Sequence, residues 1–236
     1  MTPSMQATES VQGDRTAAIV AGATFILATA AALASAPLLP SLSGADYLAG
    51  IDTNANRMVA GVALLLVAAL SSAGIAVAMH PVMKRWGASL ALASVVFRAM
   101  EGVLYIVAAT FLLSLLSLSH QFVLAGADRA TLEAIGDTLR SGREHAGLVA
   151  VICFCLGAFS YYVLFFQSRL VPRWLSGFGI LAIVMMFVAC ILALLSDSPI
   201  TGYVFLLFPI LVQEMVLAVW LILRGFNTAP PKATAF

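Results

Sequence analysis

Three ionisable residues lie within long apolar runs of the sequence, and they are the residues best placed to do chemistry. Arg98 and Glu101 interrupt the run from Ala88 to about Leu118, and Glu214 interrupts the run from Tyr203 to Leu223. A spacing of three places Arg98 and Glu101 on one face of a helix, where guanidinium and carboxylate can pair. Carboxylates beside a guanidinium can bind a proton or a cation, and a glutamate that keeps its proton can act as a general acid.

The charges of these three residues do not balance. Two carboxylates and one guanidinium leave one negative charge if all are ionised, and arginine stays protonated in proteins. Either one glutamate holds a proton, or a cation or a water-filled cavity is present. The alternative is a structural role, because buried ion pairs can fix helix register without any ligand.

Polar residues at helical spacing accompany the charges. Ser94, Arg98, Glu101 and Tyr105 follow an i, i+4, i+7, i+11 pattern, which predicts a polar stripe that faces protein rather than lipid. This stripe belongs to the predicted ligand- or proton-binding site.

The last apolar run contributes a second part of the predicted site. Gln213 supplies an amide next to Glu214, and Pro209 removes the helix hydrogen bond to the carbonyl of Phe205, which favours a kink. At ~1.5 Å of rise per residue, Arg98 lies ~15 Å and Glu214 ~16 Å from opposite ends of their runs. Both levels fall near the middle of a ~30 Å hydrocarbon core. The sequence therefore predicts that the third and sixth helices touch and that Arg98 meets Glu214 as well as Glu101.

Other polar residues give weaker signals. His145 and Arg143 are predicted at the outer end of the fourth helix, where they could line a cavity mouth. The paired Ser71 and Ser72 are predicted to bond to their own backbone, and the paired tyrosines 161 and 162 to pack. The sequence has no nucleotide loop, zinc motif, nucleophile elbow or acidic metal cluster, so neither metal nor cofactor is predicted.

The composition requires a membrane. Of the 236 residues, 62% are hydrophobic and only 10% charged, so a soluble fold could not cover the apolar surface. Helices satisfy their own backbone in lipid, and the runs are long enough to span it. The prediction is an all-α, polytopic bundle of six transmembrane helices. The six apolar runs are Ala17–Leu39, Met58–Met79, Ala88–Leu118, Ala146–Ser168, Trp174–Ser196 and Tyr203–Leu223.

The positive charges of short loops predict the orientation. Lys84 with Arg85, and Arg169 with Arg173, flank runs on the side opposite Arg57, so both termini are predicted to be cytoplasmic in a cell inner (plasma) membrane. Residues 15–226 form the predicted membrane domain, between disordered tails at 1–14 and 227–236. Cleavage of the first run as a signal peptide is the less favoured alternative.

One sizeable extracytoplasmic loop is predicted, over about residues 119–145. Asp128 could cap a short amphipathic helix with Leu132, Ile135 and Leu139 on one stripe. Such a helix would lie on the membrane surface or over a cavity mouth.

Three segments resemble the bacterial domain-of-unknown-function 4386 family over most of residues 15–226. They are Phe97-Arg98 with Glu101; Ser168-Arg169-Leu170-Val171-Pro172-Arg173-Trp174-Leu175; and Pro209 with Gln213-Glu214, Trp220-Leu221 and Gly225. The resemblance implies six helices and a bacterial origin, and it implies no activity. The long loop matches the family least well.

Three functions remain open at this point. The chain could be a small permease or ligand- or proton-binding protein, a structural or regulatory membrane protein, or a membrane-embedded enzyme that uses a protonated glutamate on a lipophilic substrate. The predicted partners are the lipid bilayer and an unidentified small molecule or lipid. The net charge of +1 does not indicate nucleic acid. The oligomeric state cannot be predicted.

Overall fold

The computed structural model describes residues 3–44, 46–124, 129–196 and 198–228, with side chains from residue 12 onward. The described residues are helical or lie in short connections, and no strand occurs in these ranges. The α-helices are α1 (Pro3–Ser35), α2 (Tyr47–Thr53), α3 (Ala55–Met83), α4 (Ala88–Leu124), α5 (Arg129–Ser168), α6 (Arg173–Ser196) and α7 (Val204–Leu223).

Six of these helices are long and apolar enough to cross a bilayer, and the short α2 connects the first two of them. The predicted all-α fold with six spans is therefore confirmed. The orientation of the termini and the identity of the membrane stay predictions.

The six long helices pack in a ring that follows their order in the chain. Each packs against the next, from α1 with α3 round to α6 with α7, and α7 closes the ring against α1. Two faces result. The terminal face carries Arg15, the connections at Lys84 and Arg169, and Arg224. The distal face carries α2, the helix ends at Leu124 and Arg129, and residues 198–201.

The part of α5 near the terminal face fills the middle of this ring. Tyr161 lies edge-on to Phe25 of α1, with ring centroids 6.4 Å apart, and packs against Phe165 at 5.7 Å. Phe25, Tyr161, Tyr162 and Phe165 are fully buried. We call these four residues the aromatic plug, and they close the bundle toward the terminal face.

Helices occupy nearly all of the predicted loop over 119–145, so its helical part is longer than predicted; its extracytoplasmic position stays a prediction. Helix α4 continues to Leu124 and α5 begins at Arg129, so the pair extends well beyond a bilayer's thickness on the distal side. Leu132 and Leu139 pack against the cluster formed with Tyr47 of α2, so the predicted stripe is part of α5. The predicted spans ended where the apolar runs end. The distal turns of α4 and α5 are helical beyond that point because they are stabilised by contacts with other parts of the protein. The proposed cap, Asp128, lies outside the described residues.

The tails also differ from the prediction. Helix α1 begins at Pro3 and thus includes most of residues 1–14, because adding residues to an existing helix costs little. Asp14 and Arg85 form an ion pair at the terminal face. After α7, the amide of Asn227 donates to the carbonyl of Leu170, 2.8 Å away. Residues 229–236 lie outside the described part.

The closure of the ring depends on a close approach of α1 to α7. A Cβ added to Gly22 would lie 2.7 Å from the backbone oxygen of Ala218, which cannot move without moving α7. We therefore predict that Gly22→Ala destabilises the protein by about 1–3 kcal/mol through overpacking, measured as a lower melting temperature in detergent. Gly50→Ala is the control, because nothing lies within 4 Å of its added Cβ. Equal melting temperatures for the two variants would contradict this packing.

Candidate functional site

A buried ion pair on α4 forms the first part of the site. Arg98 Nη1 lies 3.0 Å from Glu101 Oε2, and the two residues are only 2% and 4% exposed. Ser72 of α3 donates its hydroxyl to Glu101 Oε1 over 2.7 Å. The pairing predicted from the spacing of three is confirmed.

Helix α5 shapes the space around Arg98. A Cβ added to Gly157 would lie 2.9 Å from Arg98 Cγ, so the glycine makes room for the arginine side chain. The guanidinium carbon lies 4.7 Å from the centre of the Phe154 ring, a cation–π contact that is strengthened when water is excluded. Arg98 is therefore held in place by its neighbours on α5 as well as by Glu101.

The ion pair does not satisfy all of its polar atoms. Although Arg98 Nη1 and Glu101 Oε2 lie 3.0 Å apart, their geometry is not that of a hydrogen bond. Neither these two atoms nor Arg98 Nε has a hydrogen-bond partner among the described residues. Buried polar groups normally have such partners. Hydrogen-bonding capacity is therefore left over at this level of the bundle.

Glu214 and Gln213 on α7 form the second part, together with the tyrosines of α5. Tyr161 donates its hydroxyl to Glu214 Oε1 over 3.4 Å, a long hydrogen bond. Tyr162 donates to Gln213 Oε1, and Gln213 Nε2 donates to the carbonyl of Leu175, 3.3 Å away. Gln213 is fully buried in these contacts, whereas Glu214 is half-buried.

The predicted direct contact between Arg98 and Glu214 is wrong. The ion pairs of the described residues include Arg98 with Glu101 and none between Arg98 and Glu214. The physical reason is the ring, in which α4 and α7 are opposite each other and are not among the helix pairs that pack closely. Arg98, Glu101 and Glu214 instead line the same cavity from its two sides.

This cavity has a volume of about 790 Å³ and extends from the three charges to the distal face. Its floor is formed by Arg98, Glu101 and Glu214, beside Ser72. Small and aliphatic side chains from all six long helices form its walls, among them Ala32, Ala68, Ala108, Leu148, Met186 and Ile210. Its mouth contains Arg143, Glu144 and His145 on one side and residues 198–201 on the other. We call it the distal cavity.

The other predicted site residues fall into two groups. Tyr105 lines the distal cavity, as do Arg143 and His145 near its mouth. Ser94 is fully buried, but its hydroxyl donates to the carbonyl of Ala91 on its own helix, 3.0 Å away. Gln213 and Ser94 are not among the cavity-lining residues. Their binding roles stay untested predictions.

Three further residues contribute contacts at this site that the sequence pattern did not indicate. Ser72 was expected to bond to its own backbone but donates to Glu101, so that prediction is wrong. Tyr161 and Tyr162 were expected only to pack, yet their hydroxyls reach Glu214 and Gln213. Their positions in the apolar runs could have indicated these contacts. A hydroxyl near the middle of the membrane has no water to bond, so a charged or amide side chain at the same level is a favourable partner.

Comparison with known proteins identifies the family. A protein-family model described as "Domain of unknown function (DUF4386)" matches residues 20–225, so the chain belongs to this family. No curated protein and no solved structure matches the chain in the comparisons.

The contact between Ser72 and Glu101 yields a matched test. We predict that Ser72→Ala lowers the free energy of unfolding by about 1–3 kcal/mol, because a buried carboxylate oxygen loses its donor. Ser71→Ala is the control, since Ser71 is similarly buried but its hydroxyl does not donate to Glu101. Thermal unfolding in detergent measures both variants. A Ser71→Ala loss as large as that of Ser72→Ala would show that the hydroxyl contact contributes nothing specific.

Proposed function

We propose that this member of the domain-of-unknown-function 4386 family binds a small molecule in the distal cavity and acts as a permease for it. The observation that carries the proposal is that all three intramembrane charges line one cavity with otherwise mostly apolar walls. Ionisable groups inside a bilayer are costly, and they commonly mark ligand and ion pathways. An apolar cavity with a few convergent polar groups is a typical small-molecule site.

The two ends of the bundle differ, which supports transport over binding alone. The lining of the distal cavity reaches exposed residues such as His145 and Thr201. The aromatic plug fills the bundle on the other side of the charges. A site near mid-membrane that is reached from one face at a time is the arrangement that alternating access requires. Pro209 lies inside α7, five residues before Glu214, and removes one hydrogen bond from that helix.

A purely structural role for the charges accounts for less of the geometry. It explains Arg98 and Glu101, which pair with each other and pack against Phe154 and Gly157. It does not explain Glu214, a half-buried carboxylate whose hydrogen-bond donor among the described residues is the Tyr161 hydroxyl, 3.4 Å away. A residue that only joined helices would be replaceable by an apolar one at no cost in function.

Filling the cavity tests this proposal. We predict that Ala68→Phe, in the cavity wall, abolishes binding of the small molecule because the ring occupies the space it needs. Ala60→Phe is the matched control, since Ala60 is exposed on the same helix and is not among the cavity-lining residues. Native mass spectrometry of protein released from mild detergent measures the bound molecule directly.

The expected result is an added mass on the unsubstituted protein and on Ala60→Phe that is missing from Ala68→Phe. Both variants must retain the melting temperature of the unsubstituted protein to within a few degrees. Identical spectra for all three proteins would contradict a ligand site in the distal cavity.

A further inference from the structure

We propose that the ligand of the distal cavity is a lipophilic monovalent cation, such as an amine on an apolar body, whose charged group lies against Glu214. This inference rests on the proposed function and adds the chemical class of the ligand. It follows from three features of the cavity: its charge, the surroundings of Glu214, and the nature of its walls.

The lining is negative when its carboxylates are ionised. The described lining residues carry two guanidiniums, Arg98 and Arg143, against three carboxylates, Glu101, Glu144 and Glu214. When His145 is neutral, these groups sum to one negative charge. Apolar walls concentrate the field of such a charge, which raises the local concentration of cations.

The unbalanced charge can be assigned to a residue. At the floor, Arg98 and Glu101 neutralise each other across 3.0 Å. Glu214 has no cationic partner within 4.0 Å among the described residues, and its hydrogen-bond donor is Tyr161 at 3.4 Å. A half-buried carboxylate among apolar walls is costly without a cation. A cationic group next to Glu214 would remove that cost.

The surroundings of Glu214 favour an organic cation over a metal ion. A bare alkali or alkaline-earth ion needs about six oxygen ligands. Near Glu214 the structure offers its own carboxylate and one phenol oxygen, and Glu101 is already engaged by Arg98 and Ser72. An organic ammonium needs fewer oxygen contacts because its carbon atoms contact apolar surface instead.

The walls match the apolar body of such a molecule. Aliphatic side chains such as Leu112, Val151 and Leu211 lie between the floor and the mouth. A volume of about 790 Å³ exceeds that of a metal ion or a small inorganic ion severalfold and falls in the usual range for drug-sized ligands.

Three probes of similar shape and different charge test the inference. They are tetraphenylphosphonium, a cation; tetraphenylborate, its anionic isostere; and triphenylphosphine oxide, a neutral molecule. Equilibrium dialysis against purified protein in detergent measures the saturable binding of each, with protein-free micelles as the blank. The proteins are the unsubstituted chain, Glu214→Gln, Ala68→Phe and Glu133→Gln, whose glutamate lies on α5 and is not among the cavity-lining residues.

We expect saturable binding of tetraphenylphosphonium and none of tetraphenylborate. Glu214→Gln should weaken the binding at least about tenfold, because it removes the negative charge that attracts the cation inside an apolar cavity. Glu133→Gln should leave the binding unchanged. Excess sodium or potassium chloride should reduce it only by screening, to the same extent for either salt.

Two kinds of failure are distinguishable. If the anionic or neutral probe binds as well as the cation and Ala68→Phe abolishes that binding, the cavity is a ligand site without charge selectivity, and only this inference is overturned. Competition specific to one metal cation would also overturn it, in favour of an ion site. If Ala68→Phe changes the binding of no probe, or no probe binds, the proposed function fails as well.

Discussion

The ion pair between Arg98 and Glu101 is the interaction on which the rest of the site depends. A charge at mid-membrane costs several kcal/mol unless it is paired and shielded from lipid, so the neighbouring helices must enclose this pair. Ser72 contributes a hydroxyl from α3, whereas Gly157 and Phe154 contribute space and an aromatic face from α5. Three helices are thereby fixed around one ion pair, and α4 cannot turn its polar face toward the bilayer.

The ring topology turns this local arrangement into a cavity. Because consecutive helices are neighbours, α4 and α7 are placed on opposite sides, and their charged residues face each other across an open space. The aromatic plug fills the terminal side of this space, and the distal side stays accessible. Direct contact between Arg98 and Glu214 would have engaged the Glu214 carboxylate within the protein. Their separation leaves Glu214 available to a ligand.

The sequence predicted the elements better than their arrangement. Apolar runs long enough to span lipid located all six helices, and a spacing of three predicted the pair of Arg98 and Glu101 correctly. The depth of a residue follows from its position in a run, but its angular position in the bundle does not. Arg98 and Glu214 were therefore placed at one level but wrongly in contact. The bond from Ser72 was missed for the same reason, since nothing in the sequence shows that α3 packs beside α4.

Accessibility of the wall above the charges tests the account most directly. Ala108 and Ala109 are adjacent buried residues of α4, and only Ala108 is among the residues that line the distal cavity. Each is replaced by cysteine and exposed to a membrane-impermeant cationic methanethiosulfonate added from the distal side. The unsubstituted chain, whose cysteines are buried, gives the background. The account predicts rapid modification of Ala108→Cys and background modification of Ala109→Cys. Equal reaction at both positions, or none at Ala108→Cys, would contradict a ligand-accessible cavity above the charged floor.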